Sequence, residues 1–319
     1  MIISRTPLRI SFVGGGTDMK YFYKNHDGSV ISMAIDKYIY IIVKKRYDKK
    51  IVLNYRKREI VSSVKEIKHN LFRECLKLVN IDSGIEITSI ADIPSQGSGL
   101  GSSSAFTVGL LNALFTYLGD NKTQEEIASL ACKIEIDICG APIGKQDQFG
   151  TSIGGLKKII FKSDENVIVQ KISDKNKLYE NLEKQIILVN SNIYRSASEI
   201  LQKQKNNSDN NFSKLKNISE MVDSFERYLI NQDFKEIYQS LQNYWNQKKE
   251  LVHSSVKKDL EKIYNSFVPE SCICGKICGA GGGGYFMFFK RNESNILRDK
   301  YFDVKIDKEG SSIIYNNLT

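Results

Sequence analysis

The stretch IPSQGSGLGSSSAF, residues 93–106, decides how the rest of the chain reads. It joins a strand pattern, GIEITSIADIP, to a helical one in which Ala105, Val108, Leu111, Phe115 and Leu118 recur at three- and four-residue steps before Gly119. Small residues bury little surface and cost conformational entropy on ordering, so their concentration here needs a reason. Gly97, Gly99 and Gly101 let backbone approach a ligand closely. Ser102, Ser103 and Ser104 fall on the first turn of the helix, where unpaired N–H groups and the helix dipole favour an anion. With Pro94 closing the strand and Ser98 and Leu100 between the glycines, the segment reads as a phosphate cradle, and one of its hydroxyls could ligate a phosphate-bound Mg2+. It is not a Walker loop, because no lysine follows Gly101, and it is not a dinucleotide fingerprint, because position 102 is serine. Taken alone, the segment also fits a plain capped helix after a flexible loop.

The surrounding chain is that of a folded protein. Its 319 residues are 41% hydrophobic and 26% charged, enough for two domains of ordinary size. The formal charge of +9 suits anionic ligands but is spread along the chain, as it would be on solvated faces. Arg5 and Arg9 interrupt the apolar N-terminal stretch well short of a membrane span, and no signal-peptide pattern follows, so a cytoplasmic protein without a membrane partner is expected. Six scattered cysteines read as reduced thiols. Cys272, Cys274 and Cys278 lack a fourth ligand nearby and read as packing residues rather than a zinc site. His26, His69 and His253 form no triad spacing with any serine and receive no role.

Mixed strands and helices without strict alternation predict an α+β fold. Strands are expected around residues 8–12, 84–94, 185–192 and 285–290, with a hairpin over 35–55 turning at Asp48-Lys49-Lys50. Helices are expected over 65–79, 105–118, 123–139, 214–230, 233–253 and 256–267, and Thr123 with Glu126 makes a capping box. The shift in composition near 155–185 places a boundary between residues 1–170, carrying nucleotide binding and catalysis, and 171–319, completing the substrate site.

Three further segments accompany the serine loop: PLRISFVGGGTD (7–18), GKQDQFG (144–150) and KICGAGGGGYF (276–286). In this order they resemble the GHMP small-molecule kinases, over most of the chain. The resemblance implies a two-domain fold, with a ribosomal protein S5 domain 2-like N-terminal domain and a ferredoxin-like C-terminal domain. It also implies ATP and Mg2+ as cofactors. The serine loop, from Pro94 through Ser104, would wrap the ATP phosphates. Ser103 would ligate Mg2+ together with Glu135, for which Asp137 is a competitor. Asp147 matches the catalytic aspartate that accepts or orients the substrate hydroxyl. Lys145 would hold Asp147 ionised or touch the γ-phosphate. Arg9 would offset charge on the transferred phosphoryl group.

Asp18, with Gly15, Gly16 and Thr17, matches the sugar-binding segment. Galactokinases carry Glu-His where this chain has Gly15-Gly16, which removes two polar side chains and opens space. The run from Gly14 to Tyr40 and the segment NSNIYRSASEIL are similar to the branch that phosphorylates O1 of D-glycero-D-manno-heptose 7-phosphate, a step toward GDP-heptose for bacterial surface glycans. Arg195, with Ser196, is then the candidate clamp for the substrate phosphate, ahead of Lys37, Lys45 and Arg46. The late glycine loop, Gly279 to Gly284, either supports the phosphate loop or faces the substrate, with Gly281 and Gly282 the candidates for substrate contact. The alternatives are a 1-kinase for fucose or another unphosphorylated sugar, and a sensor that binds without turnover. No basic–aromatic stripe of the RNA-binding type is present, so no nucleic-acid partner is expected. The sequence leaves monomer and homodimer open.

Overall fold

Two sheets organise the chain, and the serine loop lies where they meet. The structure is a computed structural model that describes residues 1–93, 97–193, 208–250, 254–268, 270–291 and 301–317. The first sheet is built on β1 (Ile2–Ser11) and the 18-residue β2 (Gly28–Lys45). Its order is β12-β1-β2-β5-β3-β4, with β6 (Leu156–Phe161) pairing the start of β2 and β7 (Val167–Lys171) pairing β6; β3 is Ile51–Asn54, β4 Arg58–Val61, β5 Ile85–Ala91 and β12 Ser312–Asn316. Pro7 sits inside β1, where its missing N–H would break the ladder. The register shifts there, from Pro7↔Tyr38 to Leu8↔Ile35, and the bulge absorbs the proline.

The expected hairpin over 35–55 does not form. β5 inserts between its two arms, antiparallel to β2 with Lys45↔Ile85 and parallel to β3 with Ile51↔Ile85. Both arms are rich in β-branched residues and were legible as strands. Their pairing depends on a distant third strand that local pattern does not reveal.

Helix α3 (Ser102–Tyr117) follows the serine loop and packs across β1 and β2. Val108, Leu110, Leu111, Ala113 and Leu114 are fully buried, so this helix is covered on nearly every face. It seats closely on β1 at Gly109, where a Cβ would lie 2.8 Å from Thr6 Oγ1, and Ser4 Oγ donates to the Gly109 carbonyl. α2 (Asn70–Leu78), α4 (Gln124–Cys132) and α5 (Gln146–Ser152) complete this layer, after the single-turn α1 (Lys20–Tyr23). The Thr123–Glu126 capping box is present at α4. The helix expected over 123–139 changes character after Cys132: residues Lys133–Ile138 form a π-helix.

The second sheet is antiparallel, in the order β11-β8-β10-β9, with β8 Ile186–Asn190, β9 Cys272–Ile277, β10 Tyr285–Lys290 and β11 Tyr301–Asp303. α6 (Leu178–Glu183), α7 (Ser208–Asn231), α8 (Phe234–Lys248) and α9 (Ser254–Phe267) belong to this half. Trp245 of α8 stacks on Tyr264 of α9 and meets Phe286 of β10 edge-on. The last strand, β12, returns to pair with β1, so the first sheet draws on both ends of the sequence. None of the described helices is long and apolar enough to cross a membrane.

Candidate active site

A cleft of about 370 Å³ runs between the serine loop, the glycine turn after β1, the start of α5, α8 and the late glycine loop. Gly97, Gly99 and Gly101 all have φ near +70 to +80°, the left-handed region that favours glycine. Gly101 precedes α3, and no side chain caps the helix. Ser98 Oγ pairs with Ser102 Oγ at 2.9 Å inside the loop. Ser102 and Ser104 are buried, whereas Ser103 is exposed, and all three line the cleft. The uncapped first turn is therefore open to an anion.

The late glycine loop braces this one. A Cβ on Gly99 would lie 2.6 Å from the Cys278 carbonyl, and one on Gly279 would lie 2.6 Å from Gly99 Cα. Tyr285 N donates to the Ser98 carbonyl at 3.0 Å. Gly279 and Ala280 line the cleft, whereas Gly281 and Gly282 are buried and do not line it, which favours support of the serine loop over substrate contact for those two.

Glu135 projects from the π-helix toward the start of α3 and is 2% exposed. π-Helical turns re-aim one side chain relative to an α-helix and recur at functional positions. Its carboxylate accepts from Ser103 Oγ at 3.0 Å, Ser104 Oγ at 2.7 Å, Thr107 Oγ1 at 3.2 Å and Gln148 Nε2 at 2.5 Å. Burial raises its pKa, and the donors from Ser104, Gln148 and Ser103 oppose that shift. No described lysine or arginine pairs with it, and the neighbouring Gln148 Oε1 is buried without a partner. Hard oxygen donors around an unpaired buried carboxylate fit a divalent cation such as Mg2+. Asp137, the competitor, is exposed and does not line the cleft.

Asp147 stands in the first turn of α5 and is held by Arg9, which is 2% exposed. Arg9 Nη1 donates to the Gly99 carbonyl at 2.8 Å, and its backbone N donates to the Leu100 carbonyl at 3.0 Å. One arginine thus links β1, the serine loop and α5. Leu100 itself is fully buried and contributes backbone rather than a cleft surface.

Asp18 lies across the cleft and accepts from Gly16 N and Gln146 Nε2, both at 3.0 Å. Burial and the nearby Asp147 raise its pKa. Gly144 approaches so closely that a Cβ there would sit 2.0 Å from Asp18 Oδ2. Gln146 was not anticipated as a site residue, although it lies beside Asp147 in the quoted motif. Its Oε1 is buried without a partner, an acceptor available to a ligand hydroxyl. Gly15 and Gly16 line the cleft. Thr17 does not: its hydroxyl is fully buried and bonds Gly14 O and Ser29 O, so it fixes the turn and does not face a substrate.

Lys145 also departs from expectation. Its Nζ reaches Glu165 at 2.7 Å and lies over the Tyr23 ring, outside the cleft. The adjacent positions 145, 146 and 147 enter α5 pointing in different directions, and only the latter two face the site. Pro94, Arg195 and Ser196 lie outside the described residues. Cys272, Cys274 and Cys278 are buried free thiols. His69 packs among Tyr55, Phe72 and Phe106.

Two lysines that the sequence did not single out for roles stand beside the cleft. Lys248, on α8, is 8% exposed and lines it; Lys276, on β9, is fully buried behind it. Lys276 Nζ donates to the Ser11 carbonyl at 2.5 Å, and burial, with Lys248 and Arg9 nearby, lowers its pKa to about 7.

Comparison with known proteins agrees with this geometry. Residues 62–155 match the GHMP kinases N terminal domain. The chain is 30% identical over 304 residues to the D-glycero-alpha-D-manno-heptose 7-phosphate kinase of Campylobacter jejuni, covering 90% of this chain and 89% of that protein. It shares its fold with a D-glycero-D-manno-heptose 1-phosphate kinase from Bacteroides thetaiotaomicron, at a TM-score of 0.81 and 20% identity over the whole of both chains. It likewise shares the fold of Lactococcus lactis galactokinase, at a TM-score of 0.75 and 18% identity over 98% of this chain and 94% of that one. The chain belongs to the GHMP kinases and is an ATP-dependent kinase.

Proposed function

We propose that this kinase transfers the γ-phosphoryl group of ATP to the anomeric O1 of D-glycero-D-manno-heptose 7-phosphate, giving the 1,7-bisphosphate on a route to GDP-heptose, in the cytoplasm. The carrying observation is that Asp147 is held by Arg9 through one oxygen only, at the junction between the anion-binding serine loop and the Asp18–Gln146 face. A sugar hydroxyl placed against the other oxygen would face phosphates bound at the start of α3. Asp147 would take the hydroxyl proton or orient the hydroxyl for in-line attack. Arg9 would hold Asp147 in orientation and face developing charge. Asp18 and Gln146 Oε1 would read sugar hydroxyls.

Ser103 and Glu135 would hold Mg2+, which when bound shields phosphate charge. Residues 1–170 would supply the nucleotide site and residues 171–319 would complete the substrate site, with β12 crossing back. Arg195 and Ser196 remain the sequence's candidates for the substrate phosphate. The choice of sugar is supported by the Campylobacter relative, which spans most of this chain.

The test is an ATP-consumption assay with heptose 7-phosphate, heptose, fucose and galactose, with the product's new phosphate located by 31P NMR. The expected result is a clear preference for heptose 7-phosphate and a new anomeric phosphate. Equal kcat/KM with heptose and heptose 7-phosphate would refute the sugar-phosphate reading.

A further inference from the structure

Lys248 and Lys276 are two buried ammonium-bearing side chains beside one cleft, and no described carboxylate lies within ion-pair distance of either. Burying two amines together without a counter-charge is relieved by loss of a proton, the direction in which burial pushes Lys276, or by an anion beside the one that lines the cleft, Lys248. Between them stands the fully buried Tyr244 ring, with Lys276 Nζ 5.2 Å and Lys248 Nζ 5.7 Å from its centroid. Lys276 spends a donor on the Ser11 carbonyl and lies behind the wall. Lys248 Nζ donates to the Gly279 carbonyl at 2.7 Å and approaches Tyr244 Oη at 3.4 Å. An ammonium has three donors, so one remains for a ligand.

The space in front of Lys248 is defined by the side chain that Gly15 lacks. A Cβ at Gly15 would lie 3.0 Å from Tyr244 Oη, 3.5 Å from Lys248 Nζ and 3.9 Å from Gln146 Nε2. A side chain at position 15 would therefore crowd Tyr244 Oη, and glycine lets the backbone pass close to it while Gly15, Gln146 and Lys248 together line the cleft. Gln146 Nε2 also bonds Asp18, which ties this position to the Asp18 side of the cleft, while Lys248 also reaches the late glycine loop at Gly279.

We propose that Lys248, with Tyr244 Oη beside it and Gly15 leaving the room, forms the subsite for a phosphate monoester already carried by the sugar substrate. This rests on the sugar-phosphate reading above. It makes Lys248 a specificity-determining residue: it distinguishes a phosphorylated sugar from its unphosphorylated counterpart, and the phosphates of ATP are bound elsewhere.

The experiment measures steady-state kinetics of the full chain as wild type, Lys248→Gln, Lys248→Arg and Gly15→Ala, with heptose 7-phosphate and with heptose, varying ATP in parallel. Lys248→Gln is expected to raise KM for heptose 7-phosphate roughly 10- to 100-fold, the usual range for losing a charged hydrogen bond. KM for ATP is expected to stay within about twofold of wild type, kcat/KM for heptose to fall clearly less than that for heptose 7-phosphate, and Lys248→Arg to recover most of the loss. Gly15→Ala, whose methyl intrudes on the same space without touching the lysine's charge, is expected to penalise heptose 7-phosphate more than heptose. A wild type indifferent to the 7-phosphate overturns the substrate reading. A wild type that discriminates, while Lys248→Gln and Gly15→Ala discriminate equally well, overturns the subsite alone. A loss in Lys248→Gln confined to KM for ATP also overturns it, by assigning Lys248 to the nucleotide or to the brace at Gly279.

Discussion

Arg9 directs two N–H groups at one oxygen of Asp147: Nε at 2.9 Å and Nη2 at 2.6 Å both end on Oδ1. The geometry is one-sided, and among the described residues Oδ2 receives no hydrogen bond. An aspartate gripped in this way is fixed in orientation yet keeps a free acceptor toward the cleft. Asp147→Asn is therefore expected to lower kcat by about 10²- to 10⁴-fold with little change in KM for ATP, as measured by steady-state kinetics. Arg9→Lys should also lose activity, because one ammonium cannot hold Asp147 and the Gly99 carbonyl in the planar arrangement of a guanidinium. Wild-type turnover in Asp147→Asn would remove the assigned role.

Glu135 gives a prediction with opposite signs for stability and activity. Its folded pKa lies above the ordinary carboxylate value because it is buried. The folded state thus holds a proton more tightly than the unfolded state. The stability associated with that proton is present below the ordinary value and is lost as pH rises through the raised one. Glu135→Gln removes this penalty. Without Mg2+, its melting temperature relative to wild type should climb as pH is raised from 5 to 8, while kcat with Mg-ATP falls by about 10²-fold or more. Thermal melts across pH, paired with activity, decide it; a relative Tm that falls with rising pH contradicts the burial argument.

Lys276 titrates in the opposite sense. Burial lowers its pKa to about 7, below the ordinary lysine value, so the unfolded state binds the extra proton. Stability from this group rises with pH between about 7 and 10, by up to about 1.4 kcal/mol per unit. The stability difference between wild type and Lys276→Met, from denaturant melts, should shift in favour of wild type from pH 7 to 9. A flat difference would show that Lys276 stays charged in the folded protein.

Lys145 is expected to behave as a surface brace. Its ammonium shares Glu165 with Lys20 and Lys24 and does not reach Asp147. Lys145→Met should change kcat less than about fivefold and cost on the order of 1 kcal/mol in stability. A 100-fold fall in kcat at unchanged stability would return it to the catalytic set.

The contrast between Lys145 and Lys248 shows which parts of the site were legible from sequence. The serine loop announces itself because glycine alternation and a helix start are local features, and the aspartates sit in short turn-rich motifs. Lys145 shares such a motif but faces outward, since direction within a turn is set by tertiary contact. Lys248 shares no motif at all; it is one of 46 basic residues, on an ordinary amphipathic helix, and becomes notable only when α8 packs against Gly15 and Gly279. The same limit explains the hairpin that β5 interrupts. The family resemblance points to Glu135, but the π-helical turn that aims it is not legible in the sequence.

The back-to-back glycines offer the sharpest test of the brace. Gly284 has φ +86°, and a Cβ there would fall 2.3 Å from the Ser98 carbonyl; Gly279 has φ +66° and meets Gly99. Gly279→Ala should raise KM for ATP about tenfold or more, and Gly284→Ala should destabilise the fold by about 2–4 kcal/mol, both read against wild type by kinetics and denaturant melts. Unchanged KM for ATP in Gly279→Ala would show that the serine loop holds its shape unaided.

That contact also orders events during folding. The serine loop lies in the first half of the sequence, but the backbone that holds it in shape arrives with β9 and β10. A chain that has folded only its early strands and α3 has the residues for nucleotide binding without their arrangement. Nucleotide affinity is therefore expected to depend on the docking of the second sheet and to be lost together with it.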